Sequence, residues 1–424
     1  MIAVLKNTWA LLFGMFLLQL GNGMQATALG LRGGIEDFSS ATMGYVMTGY
    51  FVGFMGGAQA TPWLLRRVGH VRVFAALASL ISVAFIIYAA WVDPVGWFLM
   101  RVMAGFCFSG VYVVAESWLN DGVDNENRGK ALSAYLIMQM GGIVLAQAVI
   151  NFADPGGFEL FIIMSVAVSI ALTPILLSVS PVPMFEATRR MSLIQLFQSS
   201  PLGCFGCFML GAIFGAMFGM SAVYTTEIGL STQETATFIG TIYLGGLLCQ
   251  YPLGWLSDRM DRRLLITIVT GIGAVAAVLV PVVGYSFTLL LISGFVIGGM
   301  ANPLYSLLIA HTNDFLEHED MASAAGGLVI LNGTGAIGMP ILVGYLMGWF
   351  GPDSFLWSIA IAMGIVTAYG MYRMTVRAST PVAETLPQVP YGMIASTVAA
   401  EMASEVVAEQ AQADAEWNPD EQPA

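Results

Sequence analysis

Five residues between positions 101 and 116 carry the densest chemistry in this chain. Arg101, Gly105, Phe108, Tyr112 and Glu116 follow one another at spacings of 4, 3, 4 and 4, so they share one face of a helix. The run around them is apolar, and an ionisable group in hydrocarbon costs at least ~2.5 kcal/mol on insertion scales. Arg101 and Glu116 should therefore face protein or a watery cavity. Arg101 reads as an anion clamp or a regulator of a nearby proton site. The alternative is a guanidinium pinned to backbone carbonyls near the helix end. Glu116 reads as a proton carrier or, equally, as a gate residue bonded to Ser117 or the next loop.

Other polar groups interrupt apolar runs. Gln19, Asn22 and Gln25 recur at i, i+3 and i+6. Such amides either contact a solute or bond neighbouring helices, the latter at ~0.6 kcal/mol on average. Asn302 and Tyr305 flank Pro303, which loosens the local backbone ladder. Tyr224 shares a run with Phe214 and Phe218, which offers a stacking wall for an organic solute, although ring packing is the simpler role for the Phe pair. Gly211, Gly215 and Gly219 repeat at four and fit a close helix interface. Cys204 and Cys207 form a C-x-x-C within an apolar run, with no second pair or nearby His, so no metal or redox site is expected. His70, His311 and His318 fall in loops or at their edges.

The elements that must hold these residues are membrane helices. Apolar residues make up 57% of the 424 and charged residues only 10%, too little charge to cover a soluble protein of this size. About 20 apolar residues cross a bilayer. Spans are expected near 8–31, 41–63, 73–92, 95–119, 131–153 and 158–179, then near 202–226, 234–257, 264–284, 287–310, 322–349 and 354–373. Lys6 with the run before Ala26-Thr27-Ala28 imitates a signal peptide, but the run is full length and reads as a retained helix. The expected fold is all-α, with twelve transmembrane helices in two six-helix halves. The halves cover residues 1–185 and 201–376, with a cytoplasmic linker at 186–200 and a mobile acidic tail at 377–424. Beyond Arg377 there are eight acids and no base, and without them the net charge rises from −12 to −4. With the N-terminus in the cytoplasm, 13 of the 15 Lys and Arg residues fall on the inner side, so both termini are expected there. The halves repeat at an offset of 193: Tyr50, Gly53, Arg66, Gly105, Tyr112, Asn120-Asp121 and Gly142 match Tyr243, Gly246, Arg259, Gly298, Tyr305, Asn313-Asp314 and Gly335.

One segment is more specific. Gly254-Trp-Leu-Ser-Asp258-Arg259-Met-Asp-Arg262-Arg263 resembles the cytoplasmic Gly-x-Leu-x-Asp-Arg-x-x-Arg-Arg signature of the major facilitator superfamily, and the likeness extends over about residues 8–373. Ala115-Glu116-Ser117-Trp118-Leu119-Asn120, Arg66-Arg67-Val-Gly69-His70-Val-Arg72 and Pro303-Leu-Tyr305 with Ala310-His311-Thr-Asn313-Asp314 look like the bacterial YcaD-type carriers. The first half departs from the signature, with Thr61 and Leu65 in place of its Gly and Asp. Span five has Gly141-Gly142 without the Pro of drug–proton antiporters.

The resemblance implies alternating access around a site between the halves, in a bacterial inner membrane. In that family spans one, four, seven and ten line the cavity, which makes Asn22, Gln25, Arg101, Tyr112, Tyr224, Asn302 and Tyr305 the expected solute contacts. Glu116 is the expected proton-coupling residue. The expected function is a secondary active transporter of a small organic solute. Export is slightly favoured over import by an aromatic, lightly charged interior with 26 Met. The rival readings are a membrane receptor that binds without carrying, an importer and a channel. No Walker motif suggests ATP, no basic patch suggests nucleic acid, and no cofactor is expected. The partners are the solute, protons and the lipid bilayer, and the chain is expected to be a monomer. At the cytoplasmic gate, the loop with Arg66, Arg67 and Arg72 should pair with Asp314, Glu317, Glu319 and Asp320 when that face closes. Asp258, next to the signature bases Arg259 and Arg263, should approach Arg128.

Overall fold

A computed structural model describes residues 2–177, except 122 and 124, and residues 191–376. Arg189, Arg190, most of the expected linker and the acidic tail from 377 lie outside the described residues, as do the side chains of Lys6, His318 and Glu319. Thirteen α-helices and no strand occur among the described residues. They are α1 (Ile2–Ile35), α2 (Ser40–Val68), α3 (His70–Ala90), α4 (Pro94–Asp121), α5 (Asn125–Val149), α6 (Glu159–Leu177), α7 (Leu193–Ser199), α8 (Pro201–Glu227), α9 (Thr232–Ser257), α10 (Arg262–Val283), α11 (Phe287–Asn313), α12 (His318–Phe350) and α13 (Ser354–Val376).

Nine of these helices are long and apolar enough to cross a membrane. Helices α1, α2 and α9 are as long, but the amides of α1 and the glycines, threonines and tyrosines of α2 and α9 lower their hydropathy. Side chains such as Val83, Ile86, Ile170, Val275 and Ile361 stand exposed along the outer faces, as lipid-facing residues do. The short α7 lies where only a polar linker is expected. Its capping box, Ser192 with Gln195, satisfies the first amides, and Leu196 packs under Gly327 of α12.

Helices α1–α6 form one bundle and α8–α13 the other, joined mainly by α2 against α12, α5 against α9 and α1 against α8. Glycines let backbones touch within each bundle. A Cβ at Gly53 would collide with the Val102 carbonyl, and one at Gly105 with that of Tyr50. The second bundle repeats both contacts, with Gly245 against Phe295 and Gly298 against Ile242.

These equivalent contacts correct the repeat register. Gly105 and Gly298 are 193 apart, but Tyr50 and Ile242 are 192 apart. The contacts of Gly23 with Ile143 and of Gly215 with Ala336 give the same pair of offsets. Arg67 lies over Trp63 and Arg259 over Trp255, again 192 apart. Helix α10 has 22 residues against 21 in α3, and the extra residue sits there. Before α10 the offset is 192 and from α11 onward it is 193. Tyr243 therefore matches Phe51, Arg259 matches Arg67, and Asp258 matches Arg66 instead of Leu65.

The halves interlock on the face that carries the α1–α2 turn. Tyr45 and Tyr345 meet hydroxyl to hydroxyl at 2.9 Å. Thr48 Oγ1 donates to the Ile337 carbonyl at 3.0 Å. The backbones of Gly44 and Gly344 pack against Pro340 and Ser40.

Candidate functional site

Below that seal, at mid-depth between the bundles, lies a cavity of about 860 Å³, counting the part open to solvent. Its lining, mostly aromatic and apolar with a few polar groups, is that of a small-molecule cleft. Four pseudo-symmetric pairs line it: Asn22 with Phe214, Ala26 with Phe218, Phe51 with Tyr243, and Ile143 with Ala336. The first bundle adds Gln25, Tyr50, Phe54 and Arg101, and the second adds Tyr305, Val329 and Asn332. Among the described lining residues, Arg101 alone carries charge.

Of the seven expected solute contacts, Asn22, Gln25, Arg101 and Tyr305 line the cavity. Tyr112, Tyr224 and Asn302 do not, and packing explains each correction. Tyr112 stands behind the α1 amides, where its Oη donates to Gln19 Oε1 at 2.7 Å and accepts from Asn22 Nδ2 at 2.9 Å. Gln25 Nε2 donates to Asn22 Oδ1 at 2.5 Å. Tyr112 thus fixes the amide row that faces the cavity. Tyr224 stacks on Phe355, with ring centroids 4.8 Å apart, between α8 and α13. Asn302 packs against Gly246 and donates to its own helix at Gly298 O, 2.9 Å away.

The sequence reading missed Tyr50, Phe51 and Phe54 of α2, Tyr243 of α9 and Asn332 of α12. The 193 register had flagged Tyr50 and Tyr243, but as repeat markers. Phe214 and Phe218, read as a stacking wall or as packing, line the cavity. Phe218 stacks on Tyr243 with centroids 5.3 Å apart and planes 9° apart.

Arg101 is only 2% exposed. Its Cζ lies 4.8 Å from the centroid of the Tyr50 ring, a cation–π distance. Its Nη2 reaches the Met47 carbonyl at 3.5 Å, a long and weak bond. Arg101 thus lines the cavity and also touches a backbone carbonyl. Glu116 is fully buried and accepts a hydrogen bond from Tyr135 Oη at 3.1 Å. Fifteen residues along α4 separate it from Arg101, or ~22 Å at helical rise. Ser117, expected beside Glu116, bonds to His70 Nε2 at 3.1 Å. His70 and His311 are buried at the start of α3 and near the end of α11.

Asp314 turns into its own half and accepts from Arg262 Nη1, and both side chains are nearly inaccessible. Arg262, absent from the expected gate set, also reaches Ser257 Oγ at 3.2 Å, the Ala310 carbonyl at 3.2 Å and Asp258 at 3.4 Å. Buried bases at a helix end need such partners. Arg263 pairs with Asp261 at 3.1 Å. Burial alone would raise the Asp261 pKa, but hydrogen bonds from the Arg263 side chain and backbone hold it below the usual carboxylate range. Arg66, Arg67, Arg72, Arg259 and Glu317 are exposed. Arg66 Nε donates to the Pro62 carbonyl at 3.3 Å. Arg128 is half-buried at the start of α5.

Two pseudo-symmetric helical bundles around a shared cavity define a multi-pass membrane protein of the carrier type. The family model of the Major Facilitator Superfamily matches residues 11–279 and again 203–398, and the chain belongs to that superfamily. The two matches begin 192 residues apart, the offset that relates α1 to α8. The chain is 24% identical over 393 residues to an uncharacterized MFS-type transporter, YcaD, of Escherichia coli O7:K1 (strain IAI39 / ExPEC), covering 88% of this chain and 97% of the relative. Its fold is similar to a variant of the nucleoside transporter NupG, with a TM-score of 0.72, 15% identity and coverage of 86% of this chain and 99% of that one. It is also similar to a bacterial homologue of the human lysosomal transporter Spinster, solved inward-facing and unoccupied. The TM-score there is 0.64, with 15% identity and coverage of 97% and 99%.

Proposed function

We propose that this protein is a secondary active transporter that moves a small organic solute across a bacterial inner membrane by alternating access. The observation that carries the reading is the cavity itself. It is lined by matched positions of both bundles and sealed on one face by Tyr45, Thr48, Tyr345 and Ile337. A rigid-body rocking of α1–α6 against α8–α13 would break that seal and close the other face. The Lys and Arg count supports a cytoplasmic N-terminus, so this conformation faces inward. In this reading Asn22, Gln25, Arg101, Tyr305, Tyr50 and Tyr243 contact the solute, and Tyr112 positions Asn22.

Proton coupling is assigned to Glu116, the buried carboxylate of α4, with Tyr135 as its hydrogen-bond donor. The protein acts as a monomer. Export is favoured, because the second bundle presents rings to the cavity and little charge. The test needs no known solute. Spin labels at positions 45 and 345 should report two distance populations in liposomes, one short and one longer. A single short distance under all conditions would reject alternating access.

A further inference from the structure

The charge that lines the cavity comes from the first bundle, which also supplies Asn22 and Gln25; the second adds the amide of Asn332 and the phenols of Tyr243 and Tyr305. Arg101 in α4 corresponds to Gly294 in α11, where a Cβ would meet the Phe238 ring at 2.8 Å. Asn22 corresponds to Phe214, and Ala26 to Phe218. The second bundle lines the cavity with the stacked rings of Phe218 and Tyr243, and the Tyr243 phenol is near enough to act on the guanidinium.

The guanidinium is poorly satisfied. Arg101 Nε is buried without a hydrogen-bond partner, and so is Tyr50 Oη beside it. The titratable groups that act on Arg101 are the phenols of Tyr88, which is also within hydrogen-bonding reach, Tyr50 and Tyr243; none of them is a carboxylate. A buried charge persists at low cost only with a counter-charge. Glu116 is ~22 Å away along α4 and does not supply one.

We propose that the cavity takes an organic monoanion with a flat, unsaturated body, its carboxylate at Arg101 and Tyr50 and its ring against Phe218 and Tyr243. This deepens the transport reading above and rests on it. A carboxylate accepts two parallel bonds from a guanidinium fork and a third from the Tyr50 hydroxyl. One lining charge matches one negative charge. A dianion would leave an unpaired charge in the cavity, a neutral solute would leave Arg101 unpaired, and a cation would be repelled. The aromatic wall favours a planar face over a bulky or highly hydroxylated one. Gln25 Oε1, also without a partner, would accept from a hydroxyl or amide hydrogen on the ring.

The test is a binding series on the full-length purified protein, read by thermal shift and calorimetry. The probes are 2-naphthoate, benzoate, acetate, the neutral 2-naphthamide and the dianionic naphthalene-2,6-dicarboxylate. The expected order places 2-naphthoate first, with the amide, the dianion and acetate at least tenfold weaker. Arg101→Gln should bring acid and amide to equal affinity. Arg101→Lys should keep the acid preference at reduced strength, which guards against a mere folding defect. Tyr243→Ala should weaken 2-naphthoate more than acetate. Equal binding of acid and amide by the unaltered protein would overturn the proposal, as would no binding of any carboxylate. If the labels at 45 and 345 still show two distances in that case, the transporter reading stands and only the solute class falls. If 2-naphthoate binds but the distance never changes, the transport reading falls instead.

Discussion

Arg101 and Gly294 occupy the same position of the two bundles, yet one projects a guanidinium into the shared cavity and the other leaves room for the Phe238 ring. The fold is close to symmetric in its helix contacts and asymmetric in its chemistry. Symmetric contacts would suit the proposed rocking of two bundles between two arrangements. Asymmetric lining gives a bound solute one orientation.

The buried pair of Arg262 and Asp314 should be a large contributor to stability. Its side chains are 2% and 3% exposed, and removing one partner of such a pair costs ~3–5 kcal/mol. Asp314→Asn and Arg262→Ala should each lower the melting temperature markedly. Arg66→Ala and Arg67→Ala, at exposed positions, should stay within ~0.5 kcal/mol. Equal small effects at all four would show that the pair is incidental. Pairing between the Arg66–Arg72 loop and Asp314 in a closed cytoplasmic gate would first have to break this bond.

Close helix contact makes a second prediction. At Gly105 an added methyl would strike the Tyr50 backbone, and at Gly338 nothing lies within 4 Å. Gly105→Ala should destabilise by ~1–3 kcal/mol, the usual cost of overpacking, and Gly338→Ala should be close to neutral. Thermal unfolding of the two purified variants compares them directly.

A third concerns acid. Asp261 is held below the ordinary carboxylate range by Arg263, so its pKa is lower folded than unfolded. Its contribution to stability is present above the unfolded value of ~3.9 and is lost as pH falls through the folded one. Asp261→Asn should remove that part of the loss, flattening the stability profile below pH ~4. An unchanged acid limb would show that Asp261 does not contribute to it.

Coupling is tested at Glu116. Glu116→Gln keeps the shape and removes the titration, so solute exchange should persist while proton-driven accumulation is lost. Tyr135→Phe removes the hydroxyl that donates to Glu116 and should shift the pH dependence of transport without abolishing it. Normal accumulation by Glu116→Gln would move coupling elsewhere.

Much of this was legible before the structure. Charge in an apolar run exposed Arg101 and Glu116, and amide spacing exposed Asn22 and Gln25. Tyr112 shares their helical face logic but sits one layer back, because hydrogen-bond range to Gln19 and Asn22 decides its place and spacing cannot show that. Tyr50 and Tyr243 look like ordinary helix aromatics until the two bundles are brought together. The extra residue of α10 was invisible because apolar residues align equally well at 192 and 193. Only backbone contacts such as Gly53 with Val102 and Gly245 with Phe295 reveal the slip. Asp314 reads as a loop acid in sequence, yet a base one helix away draws it inward.

The central claim is that one cavity opens to each face in turn, and labelling from both sides tests it most directly. With Cys107, Cys204, Cys207 and Cys249 replaced, a single Cys at Ala26, a partly exposed lining position, places a thiol in the cavity. In oriented vesicles a membrane-impermeant maleimide should label it from the cytoplasmic side. Labelling from the outer side should be slower but measurable. Cross-linking cysteines at positions 45 and 345 should abolish outer labelling and leave cytoplasmic labelling intact. Labelling from one side alone, unchanged by the cross-link, would contradict alternating access.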